Sequence, residues 1–283
     1  MNGVIVLDKP AGMSSASAVE HVKRRLGAKR AGHGGTLDPI ATGVLPICLD
    51  EATKLAQYLL ADDKAYEADL VLGVETDTLD RTGRVTATRE VAVTRDQLLA
   101  ALAKRTGEQD QIPPMYSAIK QGGVRLYHRA RAGIEIEREP RRIRIDALEL
   151  LDFAPPYARI AIACSKGTYV RSLVADLGTD VGCGAHMTEL RRTRSGVFTL
   201  AQANDLDRLD DPHLVAMTEA TRLPKVTAPS DLVPRIRSGV QLPPELFAAP
   251  KDVRFQLLDE AGSLVAVAHV EGAKVVYDRV FKP

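Results

Sequence analysis

A chain of 283 residues, 45% apolar and 27% charged, can bury a sizeable core as one large domain or as one with a small appendage; wholesale disorder, collagen and coiled coil are excluded. With 38 basic against 37 acidic side chains the net charge is +1, which taken whole argues against a polyanionic partner. No apolar run approaches the roughly 18 residues of a membrane helix, and the start MNGVIVLDKP has no signal-peptide pattern. Cys48, Cys164 and Cys183 are too scattered for a disulfide framework or a zinc site, so a reduced, cytoplasmic protein with no metal is expected.

GVIVL at 3–7 predicts a first strand, ending in the turn Asp8-Lys9-Pro10-Ala11-Gly12. Ser14 or Ser15 then caps a helix with Val19, Val22 and Leu26 on one face. A glycine-rich loop, GHGGTLDP at 32–39, leads into an apolar strand at 41–49, a helix over 51–61 and an alternating strand near 65–73. Asp96 to Lys104 reads as a short helix. QIPPMYSAIKQGG reads as irregular, because its prolines remove donors and its glycines loosen the chain. A helix at 126–133, two strands within 134–154 broken at Pro140, a strand at 158–164 and a helix from Tyr169 to Gly178 follow. After Leu223 prolines punctuate a linker-like stretch, and an alternating β unit closes the sequence. Strands and helices mix without a βαβ period, so the fold class is α+β, with a mixed, mainly antiparallel central sheet flanked by helices and a small C-terminal β domain.

Charge is segregated along the chain. Residues 20–33 carry five basic side chains, among them Lys23 and Arg30, against one acidic, and residues 117–144 carry eight against three. Residues 50–96 reverse the balance, with 11 acidic against 6 basic. Each basic run suits either a solvated helix face or an anionic partner.

Signatures for phosphate loops, dinucleotide folds, zinc hydrolases and nucleophile elbows are all missing, which disfavours those chemistries. Asp38 stands out, set between Gly34-Gly35 and Pro39. By itself an Asp before Pro suits a plain turn. Its company carries the signal: LDKPAGMSS, GHGGTLDPIATGVL, DKAYEADLVLG, QIPPMYSAIKQGG, CSKGTYVRSL and GCGAHMTELRR occur in this order. Over about residues 3 to 200 the chain closely resembles the TruB family of tRNA pseudouridine synthases.

The resemblance implies isomerisation of uridine 55 in the T loop of tRNA, a reaction that oxidises nothing and transfers no group to another molecule, so that no cofactor is needed. It implies Asp38 as the catalytic carboxylate, either attacking C1′ or acting as base on a glycal path. Desolvation disfavours a charged carboxylate, and a buried bidentate arginine would oppose this; Arg171 matches the family's arginine. A flipped base needs a stacking surface. Tyr66 and Tyr169 match the family's pocket tyrosines, Leu190 an apolar wall, and His33 the histidine that fills the space the base leaves. Lys9, with Pro10, matches a supporting motif, and Asp77 and Asp80 correspond to carboxylates near the site, Asp80 being retained as a candidate.

The basic runs, represented by Lys23, Arg30, Arg141 and Arg142, become expected phosphate contacts, with 117–144 clamping the T stem-loop. A catalytic domain over 1–225 and a PUA-like domain over 226–283 are implied, acting as a monomer with no protein partner. Two readings compete. A non-catalytic tRNA-binding or folding factor on this scaffold has no need of the Asp38, Tyr66 and Arg171 set. A glycosidase-like hydrolase needs a second carboxylate at suitable spacing, for which Asp80 is the nearby suggestion.

Overall fold

The first strand, β1 (Gly3–Lys9), is buried on both sides: Ile5 and Leu7 face one apolar layer, and Val4 and Val6 face another. That explains its unbroken apolar run, since a strand covered on both faces has no polar side to present. The computed structural model describes residues 1–117, 120–121, 124–125 and 136–282. The expected helix at 126–133 lies outside these residues.

Further strands of the central sheet include β2 (Ala31–His33), β3 (Thr42–Leu49), β4 (Lys64–Leu72), β5 (Gly107–Gln111), β6 (Arg141–Ala154), β7 (Tyr157–Cys164) and β8 (Ala185–Ser195). They run in the order β1-β3-β8-β4-β7-β6-β5, with β2 paired to β3. Neighbours are antiparallel except β3 and β8, which are parallel at Arg191↔Thr42 and Arg192↔Gly43. The mixed, mainly antiparallel sheet expected from the sequence is the sheet that forms.

Five helices accompany the strands among the described residues: α1 (Ser15–Arg25), α2 (Ala56–Leu60), α3 (Arg95–Lys104), α4 (Val170–Asp180) and α5 (Val233–Arg237). Helices α1, α3 and α4 cover one sheet face through Val19 and Val22, Leu98 and Leu102, and Leu173, Val174 and Leu177. Ser14 is the residue that caps α1, its hydroxyl accepting the Ser17 N–H at 3.0 Å. Along β4 the even positions Ala68, Leu70 and Leu72 are buried on this face, and Tyr66 continues the same row toward the strand's start.

Several boundaries differ from expectation. The helix over 51–61 divides into a 3-10 turn at Asp50–Leu55 followed by α2, because the Asp50 carboxylate is taken up by the Lys29 and Arg30 N–H groups and no side chain caps the turn. Of the two strands expected within 134–154, the described residues 136–154 give one, long and starting directly after Pro140. The linker-like stretch is structured: Lys225–Thr227 is a strand, and Pro234 lies in the first turn of α5, where a missing N–H costs nothing.

The C-terminal strands β9 (Lys225–Thr227), β10 (Phe255–Leu258), β11 (Leu264–Glu271) and β12 (Lys274–Val280) form a separate sheet with its own core of Phe255, Leu257, Val265 and Val275. Its other side docks on the central sheet's second face, where Leu264, Val267 and Phe281 join Val4, Val6, Val44, Leu55 and Leu59. Lys54 Nζ reinforces the seam, donating to the Val280 carbonyl at 2.7 Å, as does the Lys282 N–H, donating to Glu51 at 2.9 Å. Phe281→Ala is expected to cost about 3–5 kcal/mol, the usual loss for a fully buried phenylalanine. Urea denaturation should show a lower midpoint; an unchanged midpoint would mean that the docking is not stabilising.

Candidate active site

The loop between β2 and β3 carries Asp38 and is held from several sides. Gly34 donates its N–H to Pro46 O at 2.8 Å and packs so close to α2 that a Cβ there would sit 2.8 Å from Leu59 Cβ. Gly35 has φ of 144°, a region that favours glycine. The buried Ser15 hydroxyl accepts the Leu37 N–H at 2.8 Å, and Pro39 O accepts the Gly12 N–H at 2.8 Å. Stiffness at proline and closeness at glycine thus aim Asp38 at one place.

That place faces the first turn of α4. Arg171 is 4% exposed, and its Nε donates to Asp38 Oδ2 at 2.9 Å. The expected bidentate pair does not form, because the two remaining nitrogens donate to Thr78 O at 3.0 Å and Tyr116 O at 2.9 Å. Asp38 Oδ1 therefore accepts no hydrogen bond among the described residues, while the Asp38 side chain stays 35% exposed. Behind the arginine lies Asp80, whose Oδ2 is 3.6 Å from Nε. Asp80 Oδ1 is occupied, accepting from the Thr78 hydroxyl at 2.8 Å, the Thr82 hydroxyl at 2.6 Å and the Thr82 N–H at 3.0 Å. Asp77 instead closes the adjoining turn, accepting the Arg84 N–H.

Asp38, Arg171, Tyr66, Tyr169 and Leu190 line a single cavity of about 350 Å³. Burial pushes the Tyr66 and Tyr169 hydroxyls up in pKa, so both are neutral near pH 7; the Arg192 charge opposes this at Tyr66. Two further wall residues, Lys64 and Arg192, escaped the sequence reading. Arg192 faces Tyr66 across the β8–β4 pair and lies two residues from Leu190 on the same side of β8. Its Nε donates to Val44 O at 2.7 Å, and its other nitrogens to Gly35 O at 3.2 Å and Thr36 O at 3.4 Å, tying the Asp38 loop to the sheet. Lys64 donates to the carbonyls of Leu59, Leu60 and Asp62, and burial lowers its pKa to about 8. Strand parity was the available signal for both, since 64 and 66, like 190 and 192, point the same way.

The other expected residues stand outside the walls. His33 ends β2, its Nδ1 accepting the Gly35 N–H at 3.3 Å, and burial followed by the Arg192 charge lowers its pKa. Lys9 lies under the loop, donating to the carbonyls of Pro10 and Met13 at 2.7 Å and more weakly to Pro39 O at 3.4 Å. The first basic run is partly neutralised: Lys23 pairs with Glu20, Arg25 with Asp210 and Arg30 with Glu51. In β6, Arg142 pairs with Glu108 at 2.9 Å, whereas Arg141 is exposed and its charge acts on Tyr169.

Comparison with solved structures places this architecture. A Cbf5-Nop10-Gar1 complex matches with a TM-score of 0.79 at 29% identity, over 99% of this chain and 85% of that one. An H/ACA RNP bound to a substrate RNA containing 2′-deoxyuridine matches with a TM-score of 0.77 at 26% identity, over 99% and 85%. The fold is that of the pseudouridine synthases. Residues 23–170 match the model of the TruB family pseudouridylate synthase N-terminal domain, and residues 171–233 that of the tRNA pseudouridylate synthase B C-terminal domain. A tRNA pseudouridine synthase B of Pseudomonas paraeruginosa is 53% identical over 78% of this chain and 72% of its own length. One of Thiobacillus denitrificans is 46% identical over 99% and 96%. The chain belongs to the TruB family.

Lys9 gives a pH test of the site's burial. Its pKa falls from 10.5 to about 8, first by desolvation, with Asp38 opposing and Arg192 assisting. Between those values the unfolded chain holds more protons at this lysine than the folded one, so the Lys9 contribution to stability rises as pH climbs through the window. Wild-type stability relative to Lys9→Met should therefore increase from pH 7.5 toward about 10. Urea titrations of both proteins across that range measure it; a constant difference would show that the ammonium is not desolvated.

Proposed function

We propose that this protein isomerises uridine to pseudouridine at position 55 of the tRNA T loop, with Asp38 as the catalytic carboxylate. The observation that carries the reading is the Asp38 carboxylate, with one oxygen committed to buried Arg171 and the other open beside the Tyr66, Tyr169 and Leu190 walls. The names of the TruB relatives supply the substrate class. Base flipping brings the target uridine into the cavity, where Leu190 and Tyr66 hold its faces and Tyr169 its edge. Asp38 then either attacks C1′ or removes the C2′ proton as N1–C1′ breaks, and the turned base rejoins through C5. The nucleotide keeps its composition, with C5 losing one proton and N1 gaining one, so a carboxylate and a shaped pocket suffice.

His33, at the loop's entry, suits the space vacated by the flipped base. Lys9 supports the loop rather than the chemistry, and Asp80 orients Arg171. We assign 1–225 to catalysis and 226–283 to a PUA-like domain, in a monomeric, cytoplasmic enzyme; no helix among the described residues is long and apolar enough to cross a membrane. Phosphate contacts fall to the cations with no carboxylate partner among the described residues, Arg141 foremost, with Lys23, Arg30 and Arg142 weaker because each is already paired.

Asp38→Asn should abolish pseudouridine formation on an unmodified T-stem-loop hairpin while RNA binding persists; measurable turnover would remove Asp38 from the catalytic role. Arg141→Glu should weaken tRNA binding and flatten the plot of log affinity against log salt by about one contact or more, with Arg142→Glu doing less. Equal slopes for wild type and Arg141→Glu would place the RNA elsewhere.

A further inference from the structure

The cavity is surrounded by more buried positive charge than its carboxylates answer. Lys9, Lys64 and Arg192 are 0%, 7% and 1% exposed, and none forms an ion pair with a carboxylate among the described residues. Arg171 is already shared by Asp38 and Asp80. Asp62 and Asp63 act on Lys64 only at longer range. The three unpaired cations donate instead to backbone carbonyls, which hold an ammonium or guanidinium but leave its net charge in place. Neutral donors such as Asn or Gln could tie the same carbonyls with far less desolvation cost. The charge itself therefore asks for a purpose.

The proposed reaction makes an anion at this position. When N1–C1′ breaks, the bonding pair stays with N1 and the base departs as a uracil monoanion, its charge spread over N1, O2 and O4. Asp38 meanwhile forms a bond to C1′, or takes the C2′ proton to leave a glycal. The anion persists until C5 bonds to C1′, whereupon the Asp38 bond breaks or the C2′ proton returns, C5 loses its proton and N1 gains one. Through all of this the base rests against Tyr66 and Leu190. Lys64 lies two residues before Tyr66 on β4, and Arg192 two after Leu190 on β8, directly across from Tyr66. Both line the cavity.

We propose that Arg192 and Lys64 form a preorganised positive wall that stabilises the detached uracil anion, beyond their part in tying the loops. This rests on the pseudouridine reading and holds for either role of Asp38, because the base leaves as an anion on both paths. Charges fixed by carbonyl cages need no reorganisation as the anion forms, which is where such stabilisation is most effective.

The test compares single-turnover rates on T-loop hairpins carrying uridine or 5-fluorouridine at the target, scored by loss of the intact nucleoside after nuclease digestion. Fluorine makes the base a better leaving anion that needs less help. Arg192→Met should slow uridine roughly 100-fold and Arg192→Lys much less, the usual scale for losing one charge-stabilising group. With 5-fluorouridine the Arg192→Met loss should shrink about tenfold, as expected when the group assists an anion. Equal losses for the two bases in a folded variant would overturn the proposal, since a residue that only ties the loop slows both alike. Should Arg192→Met fail to fold, Lys64→Met carries the same comparison. A wild-type protein that leaves uridine unchanged would overturn the underlying reading instead.

Discussion

The segment bearing Asp38 leaves the sheet between β2 and β3, and its carbonyls must find donors that no strand supplies. Arg192 supplies them to Gly35 and Thr36, Lys9 to Pro39, and Ser15 to Leu37. Because Arg192 also grips Val44 in β3 from its own place in β8, the loop is fixed to the one parallel junction among the sheet's long strands. Everything in the cavity depends on that tether. Were the loop free, Asp38 would lose its bearing on Arg171.

Arg171 divides labour between two carboxylates. Its guanidinium spends one nitrogen on Asp38 and the other two on backbone carbonyls, so the aspartate keeps an oxygen facing the cavity. Asp80 is nearly as close but is buried among threonine hydroxyls with no room for a substrate. Proximity alone would suggest a carboxylate pair of the kind that hydrolyses glycosides. Burial says otherwise, since a general acid or base needs an oxygen within reach of the reacting proton, and the 8% exposed Asp80 side chain does not line the cavity.

Much of this was legible in the sequence, and the remainder failed for identifiable reasons. Apolar runs and alternation located β1, β3, β4 and β7, because each strand's burial is written in its own side chains. The ordered motifs brought Asp38, Tyr66, Tyr169, Arg171 and Leu190 to one cavity. Arg192 and Lys64 were missed because a charged residue at an inward strand position reads as a strand end, and only the tertiary fold shows that carbonyls await it. Segment charges also overstated the basic run at 20–33, since Glu51 and Asp210 reach Arg30 and Arg25 from outside it. Linear counts cannot see a partner 185 residues away.

The seam between the two sheets joins residues from opposite ends of the numbering, with Val4 and Val6 in the same apolar cluster as Phe281. During synthesis from the N-terminus, the β1 face that Phe281 covers stays open to water until residue 281 has left the ribosome. The same cluster contains Leu59, whose carbonyl accepts from Lys64 in the cavity wall. Contacts so distant in sequence form late, because the intervening chain must be ordered before they can be made. Until that seam closes, a nascent chain exposes an apolar sheet face suited to chaperone capture.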